Sequence, residues 1–474
     1  MPPSSPLRKP ARPLRALARR AAVAGLSATL LASSVPPAAF AANPMSKLVP
    51  VRDAEIEQLI RDYATPIFRA AGLDPKRIQI VLIRDLSFNA FVANGQKMFV
   101  NLGALIDSKT PNKLIGVIAH ETGHIADGHL ASLHEKLETA QTRAVIGMLL
   151  GVAVAAAGAA SGSNAAAQGG MMAAIAPQDF VRRDLLAYAR SQEQAADQAA
   201  VKYLTKTGQS ARGMIEIFES FASKDMFSSR FQDPYAVSHP MPQERIALLE
   251  RIAKASPSYN APDKPDFIQR HALARAKALA FLRDAGAVQR AYPLSDHSLA
   301  ARYARAISSY RFGDVDAAQK QIDGLIAEKP NDPYFWELKG QALLEAGRAR
   351  AAVSPLRKAV SLDPSAALIR ILLAQAMVAT NDNALLNQAM SELRQALVHE
   401  RNSSDAYRQL AIIYGRKNMY PQADVASAQA AFIDGRYANA RDFAERAKKG
   451  LPVGSPAWLR ADDIATYKSA SAKK

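Results

Sequence analysis

The residues whose types and spacing most clearly imply chemistry are His120-Glu121-Thr122-Gly123-His124. On a helix, side chains at i and i+4 leave the same face, so both imidazoles can reach one Zn2+ ion. Glu121 stands beside the first of them, where its carboxylate can take a proton from an activated water. The chemistry implied is metal-assisted hydrolysis. Such an enzyme needs a third protein ligand and an open fourth position. The 474 residues include eight histidines and no cysteine, so the third ligand must be another His or a carboxylate. On a continuous helix His129 lies about 140° round from His124 and faces elsewhere; His134 is no better placed. The helical segment around Glu193 and Asp197 puts two carboxylates on one face at i and i+4. One of them can bind the metal while the other holds a ligand imidazole from behind.

These side chains need elements to carry them. Thr110 reads as a helix N-cap and Pro111 as the first helical residue. Leu114, Ile115, Val117, Ile118 and Ile125 would turn that helix's apolar side to a core. Upstream, 78–83 is a β-rich run. Phe91-Val92-Ala93 and Met98-Phe99-Val100 flank Asn94-Gly95, a two-residue hairpin signal because both turn positions tolerate positive φ. Residues 144–178 carry no charge and no His, but ten of the 17 residues in 144–160 are Ala or Gly. That run is short and poor in large side chains for a membrane span. It is expected to form a hydrophobic lid or plug over the active site, in peripheral contact with a membrane.

Composition bounds the rest. With 49% hydrophobic and 22% charged residues the chain is globular. The lack of cysteine excludes disulfides, thiolate zinc sites, iron–sulfur clusters and a cysteine nucleophile. The net charge of +17 is uneven: 1–44 holds six basic and no acidic residues, 45–267 holds 24 and 23, and 268–474 holds 30 and 20. The first block is a targeting pattern. Six Arg and Lys precede the uncharged run 21–32, and Ala39-Phe40-Ala41 supplies a small-x-small cleavage site. A signal peptide over 1–41 is expected, cleaved near Ala41, with Sec and twin-arginine export both open. The basic excess of the last block reads as a solvated face. No dense basic run or aromatic interleaving suggests nucleic-acid binding.

Beyond Pro257, Pro262 and Pro265 the chain acquires a period. Gly313 and Gly347, Ala317 and Ala351, Ala318 and Ala352, Ile322 and Leu356, Ile326 and Val360, and Pro330 and Pro364 each lie 34 residues apart. That is the length of a tetratricopeptide unit, two antiparallel helices with a small residue at the turn. A third copy is degraded, with Asn381 where glycine is predicted, and a later unit begins near Ile433. Stacked units bury a continuous core and present a concave face to peptides or proteins.

His120 to His124 taken with Glu193 and Asp197 resembles the gluzincin superfamily of the prenyl-protein and heat-shock membrane endopeptidases. The export signal and the repeats make the chain similar to that superfamily's periplasmic members. The resemblance implies one Zn2+ per chain held by His120, His124 and Glu193, with Glu121 as general base and Asp197 orienting a ligand His. Ser238-His239-Pro240 and Arg245 are similar to the family's His-Pro…Arg stretch. His239 would then approach the zinc, either polarising the substrate carbonyl or filling the fourth position in a latent state. Phe91, Val92 and Ala93 look like the family's edge strand, where an extended peptide adds by backbone hydrogen bonds.

The expected fold is α+β and mainly α. A metallopeptidase domain with a small β-hairpin or sheet (42–255) is followed by a linker (256–267) and a tetratricopeptide solenoid (268–468). The expected function is zinc-dependent endoproteolysis in the periplasm. The resemblance implies degradation of stalled outer-membrane β-barrel proteins and help in their assembly, with the repeats docking onto substrate or the barrel-assembly machinery. The alternative is a tetratricopeptide chaperone or adaptor whose metal site is latent or structural.

Overall fold

Four short strands, β1 (Pro50–Val51), β2 (Gln79–Ile83), β3 (Ala90–Ala93) and β4 (Lys97–Asn101), form one sheet in the order β1-β2-β4-β3. This is a computed structural model that describes residues 48–93, 96–129, 132, 187–225 and 234–468. The expected signal peptide, the Asn94-Gly95 turn, His134 and the uncharged run 144–160 lie outside those residues. Contacts divide the chain after Val49, and residues from Pro50 onward form one unit. The expected hairpin pairing is present: β3 and β4 are antiparallel, with Phe91 opposite Phe99 and Val92 opposite Met98. β2 joins β4 in parallel, Val81 opposite Phe99. β3 is therefore an edge strand. Met98, Phe99 and Val100 are all buried, as in a strand covered on both faces.

Helix α1 (Ala54–Ala70) starts where the Asp53 carboxylate accepts the Ile56 N–H, and it buries Ile56, Leu59, Ile60, Tyr63 and Ile67. Those positions recur at helical spacing and give one apolar stripe. After α2 (Leu102–Asp107) comes α3 (Pro111–Ala126), with Thr110 and Pro111 at the expected places, although the Thr110 side chain makes no capping bond. Every residue from Leu114 to His124 is buried. An amphipathic surface helix would not be covered all round, so α3 is the central helix of this half. Residues 187–206 form α4, followed by α5 (Arg212–Asp225), α6 (Pro234–Ser238) and α7 (Gln243–Lys254).

From Pro265 the described chain is helical: α8 (Pro265–Leu282), α9 (Ala285–Ala291), then stacked pairs. These are α10 and α11 (Leu299–Phe312, Val315–Glu328), α12 and α13 (Pro333–Glu345, Ala349–Leu362), and α14 and α15 (Ala367–Ala379, Leu386–His399). Two more follow, α16 and α17 (Ser404–Arg416, Tyr420–Ile433) and α18 and α19 (Tyr437–Lys449, Pro456–Thr466). The repeat positions Ile322, Ala352, Leu356 and Ala374 are buried between helices. The turns explain the degraded pattern. Gly347 has φ +75°, and Asn381 and Asn418 adopt φ 60° and 57°. Asn tolerates the left-handed region better than other residues with a Cβ, so it replaces glycine there at small cost. The pair flanking Asn418 escaped a pattern built on glycine.

Helix α8 ties the repeats to the first half. His271 Nε2 lies 2.6 Å from the Ser108 carbonyl and its Nδ1 lies 3.1 Å from Tyr63 Oη. Arg275 donates twice to the Ile106 carbonyl. The buried Lys277 ammonium is 2.9 Å from Asp53 and 3.3 Å from Glu55, and Glu337 of α12 lies 3.6 Å away.

Candidate metal centre

The buried helix α3 presents His120 and His124 to α4, and a glycine sets how closely the two helices approach. A Cβ on Gly123 would stand 2.9 Å from the Ala196 Cα, which leaves no room for a side chain. Close approach brings Glu193 and Asp197 to the two imidazoles. His120 Nε2 is 3.2 Å from His124 Nε2 and 3.4 Å from Glu193 Oε2. His124 Nε2 is 3.4 Å from Glu193 Oε1. From the turn after α6, His239 brings Nδ1 to 3.4 Å from His120 Nε2 and 3.0 Å from both Glu193 oxygens. Among the described residues, His120, His124, Glu193 and His239 form a buried group whose ligand atoms all lie within 4.8 Å of one another.

Two properties fit this group to a divalent cation. Two imidazole nitrogens 3.2 Å apart, each 3.4 Å from one oxygen of the Glu193 carboxylate, stand close enough for one ion to bind them together. The charges agree with this: Glu121, Glu193 and Asp197 are buried around the two imidazoles, and among the described residues Arg245 is the guanidinium beside them. Glu121 Oε1 is buried and, among the described residues, accepts no hydrogen bond.

Asp197 and Arg245 frame the centre from behind. Asp197 Oδ1 lies 3.0 Å from His120 Nδ1. Arg245 donates to both Asp197 oxygens at 2.7 and 2.9 Å, and Nη1 lies 2.9 Å from Glu193. Fork-to-carboxylate pairing of this kind fixes orientation as well as charge. Burial opposes charge on His120, but its bonds to Asp197 and Glu193 outweigh burial and lift its pKa to about 9. Burial and the charge of His120 push His124 down to about 2. Burial would raise Glu193, yet His120 and His239 hold it below the usual carboxylate range. Burial would likewise raise Asp197, but Arg245 and His120 overcome it and hold the carboxyl below its usual range. Glu121 is pushed up, chiefly by burial, which makes its carboxylate a stronger base.

The structure thus brings His120, Glu121, His124, Glu193, Asp197 and His239 together, with His239 Nε2 3.5 Å from Glu121. Phe91, Val92 and Ala93 lie half-buried on edge strand β3, where Phe91 stacks on Phe99 at 4.9 Å. Sequence reasoning missed two contributors and misplaced a third. Arg245 belongs to the His-Pro…Arg stretch but had been assigned no role, and neither had Gly123. His129 was expected to face elsewhere on a continuous helix. In fact α3 ends at Ala126 and Gly128 adopts φ +65°. The chain therefore folds back, and His129 Nδ1 comes to 2.9 Å from His124 Nδ1, buried and held toward its neutral form mainly by burial.

Residues 50–253 match the family model of Peptidase family M48. The part of the chain that carries the metal centre is thus the part that matches peptidase family M48. The chain is 23% identical over 420 residues to the beta-barrel assembly-enhancing protease of Escherichia coli (strain K12), covering 87% of this chain and 82% of that one. Metalloprotease YcaL of the same organism is 32% identical over 151 residues, covering 31% of this chain and 52% of that one. A solved structure, MamA MSR-1 C2, overlays 35% of this chain and 92% of its own at a TM-score of 0.29 and 19% identity. Among the described residues no helix is long and apolar enough to cross a membrane.

Proposed function

We propose that the chain is exported to the periplasm. There it works as a zinc-dependent endopeptidase that degrades stalled or misassembled outer-membrane β-barrel proteins and assists their assembly. The single observation that carries the hydrolytic part is the convergence of His120, His124 and Glu193, with ligand atoms close enough to share one ion, beside the buried carboxylate of Glu121. The β-barrel part rests on similarity to a protease whose name describes that role. The proposed layout is a signal over 1–41, the peptidase over 42–255, a linker over 256–267 and tetratricopeptide repeats over 268–468. The repeats would dock onto substrate or the barrel-assembly machinery.

His120, His124 and Glu193 would hold one Zn2+. Bound there, zinc supplies Lewis-acid polarisation of the scissile carbonyl and lowers the pKa of a water. Glu121 accepts the proton of the attacking water and passes it to the leaving amide nitrogen, so the peptide bond breaks with protons balanced. Asp197 holds the His120 ring through Nδ1, and Arg245 holds Asp197. An extended substrate adds to β3 at Phe91, Val92 and Ala93, pairing with the open edge. The test is Glu121→Gln. A stalled β-barrel substrate should persist in the variant and disappear with the native chain; equal loss in both refutes proteolysis of that substrate.

One observation favours a second reading, in which the metal site is latent and the repeats act as a chaperone or adaptor. His239 Nδ1 lies among the ligand atoms, where it would fill the fourth position. His239→Ala distinguishes the two: the latent reading expects faster proteolysis, a role in polarising the substrate carbonyl expects slower proteolysis, and an unchanged rate assigns His239 neither role.

A further inference from the structure

The two histidines of the HExxH string are supported by chemically different groups. His120 has a carboxylate at its outer nitrogen, Asp197 Oδ1 at 3.0 Å. His124 has a second imidazole: His129 Nδ1 stands 2.9 Å from His124 Nδ1, the rings meeting edge to face at 74° with centroids 5.0 Å apart. His124 turns Nε2 toward His120 and Glu193. An imidazole that ligates through Nε2 keeps that lone pair free and therefore carries its proton on Nδ1. His129 Nδ1 is the atom placed to accept it. Accepting there leaves the His129 proton on Nε2, on the side of Asp127 Oδ2 at 3.6 Å, a distance for charge attraction rather than a direct hydrogen bond.

We propose that His129 is a positioning residue of the metal centre, accepting the Nδ1–H of His124 and so holding that ring in its Nε2-ligating tautomer and plane. The inference rests on the reading of His124 as a metal ligand. Its physical basis is the backbone reversal. Because α3 stops at Ala126 and Gly128 takes φ +65°, a residue five positions on returns to the ligand's back, where a continuing helix would carry it away. The acceptor is neutral, so it fixes the tautomer without adding another negative charge to a site already rich in carboxylates. Groups that orient metal-ligating histidines contribute about 10- to 100-fold in metal affinity.

Zinc affinity of the full chain, measured by competition with a chromophoric chelator, tests this. His129→Ala should bind zinc about 10- to 100-fold more weakly than the native chain. His129→Asn, whose side-chain carbonyl can accept the same proton, should recover part of the loss, with unfolding midpoints of the metal-free proteins compared alongside. Native affinity in His129→Ala overturns the proposal. A loss that His129→Asn does not repair, accompanied by an equal fall in metal-free stability, also overturns it. A measurement that needs no variant is the nitrogen-15 spectrum of histidine-labelled, zinc-loaded native chain. His124 should show a protonated Nδ1; a protonated Nε2 refutes the assignment. If His124→Ala leaves zinc affinity unchanged, the ligand reading itself fails. If His124→Ala weakens binding and His129→Ala does not, only the present inference fails.

Discussion

Replacing Glu337 with Gln probes the buried charge cluster that joins the repeats to the peptidase half. Glu337 is buried at 8% exposure, its Oε2 accepts no hydrogen bond, and its closest cation is Lys277 at 3.6 Å. Lys277 is already 2.9 Å from Asp53 and 3.3 Å from Glu55, and Tyr303 Oη donates to Glu55 at 2.9 Å. Three carboxylates therefore face one ammonium, with Asp332 and Tyr334 close by. Burial, opposed by Lys277, lifts both Glu337 and Glu55 to about 7. A carboxyl raised in the folded state contributes stability that is full below its ordinary value near 4.5 and is lost as pH rises through 7. A rise from near 4.5 to about 7 corresponds to an upper bound of about 3 kcal/mol for one group. Because the two acids share one cation, about 1–3 kcal/mol is the expected change. Glu337→Gln is permanently neutral. It should match the native chain near pH 5 and exceed it by that amount at pH 8. Urea unfolding followed by the fluorescence of the adjacent Trp336 reads the midpoints from pH 5 to 8.5. A difference that does not change with pH, or a variant less stable at pH 8, refutes the argument.

Four further outcomes are expected. His271, held neutral by burial with its pKa lowered to about 4, contributes a loss of stability as pH falls from 6.5 toward 4; His271→Gln should lack that contribution, so the stability difference between native chain and variant should shift in the variant's favour over this window. Arg245→Met leaves the Asp197 and Glu193 carboxylates uncompensated in the interior and should cost about 3–5 kcal/mol in denaturant unfolding. Gly123→Ala pushes α3 from α4 against the Ala196 backbone, so zinc affinity should fall together with about 1–3 kcal/mol of stability. Asn381→Ala should destabilise the repeats by about 1–2 kcal/mol and Asn381→Gly should not, since only the former strains a φ of 60°; calorimetry of both variants decides it.

Local rules made the HExxH helix and its partners legible. An i, i+4 spacing is a statement about one helix, so His120 and His124 could be placed on a common face without a fold. The Pro111 start, the β3–β4 pairing and the 34-residue period are likewise set within a few dozen residues. Glu193 and Asp197 were harder, because ExxxD also describes an ordinary solvated helix face; only a family resemblance marked them out. His129 shows how local reasoning goes wrong. It assumed the helix continued, and one left-handed glycine reversed the answer.

The sequence by itself determined the type of chemistry, since two imidazoles and an acid at fixed helical spacing admit few others, and it determined the repeat architecture through its period. Tertiary structure alone decided how close the carboxylates of α4 come to α3, which nitrogen of each histidine faces inward, and that Arg245 closes the site. Those distances depend on packing between segments more than 40 residues apart in the chain, as between Glu193 and His239. A glycine that leaves no Cβ in the way permits that packing, and no spacing rule within a single element encodes it.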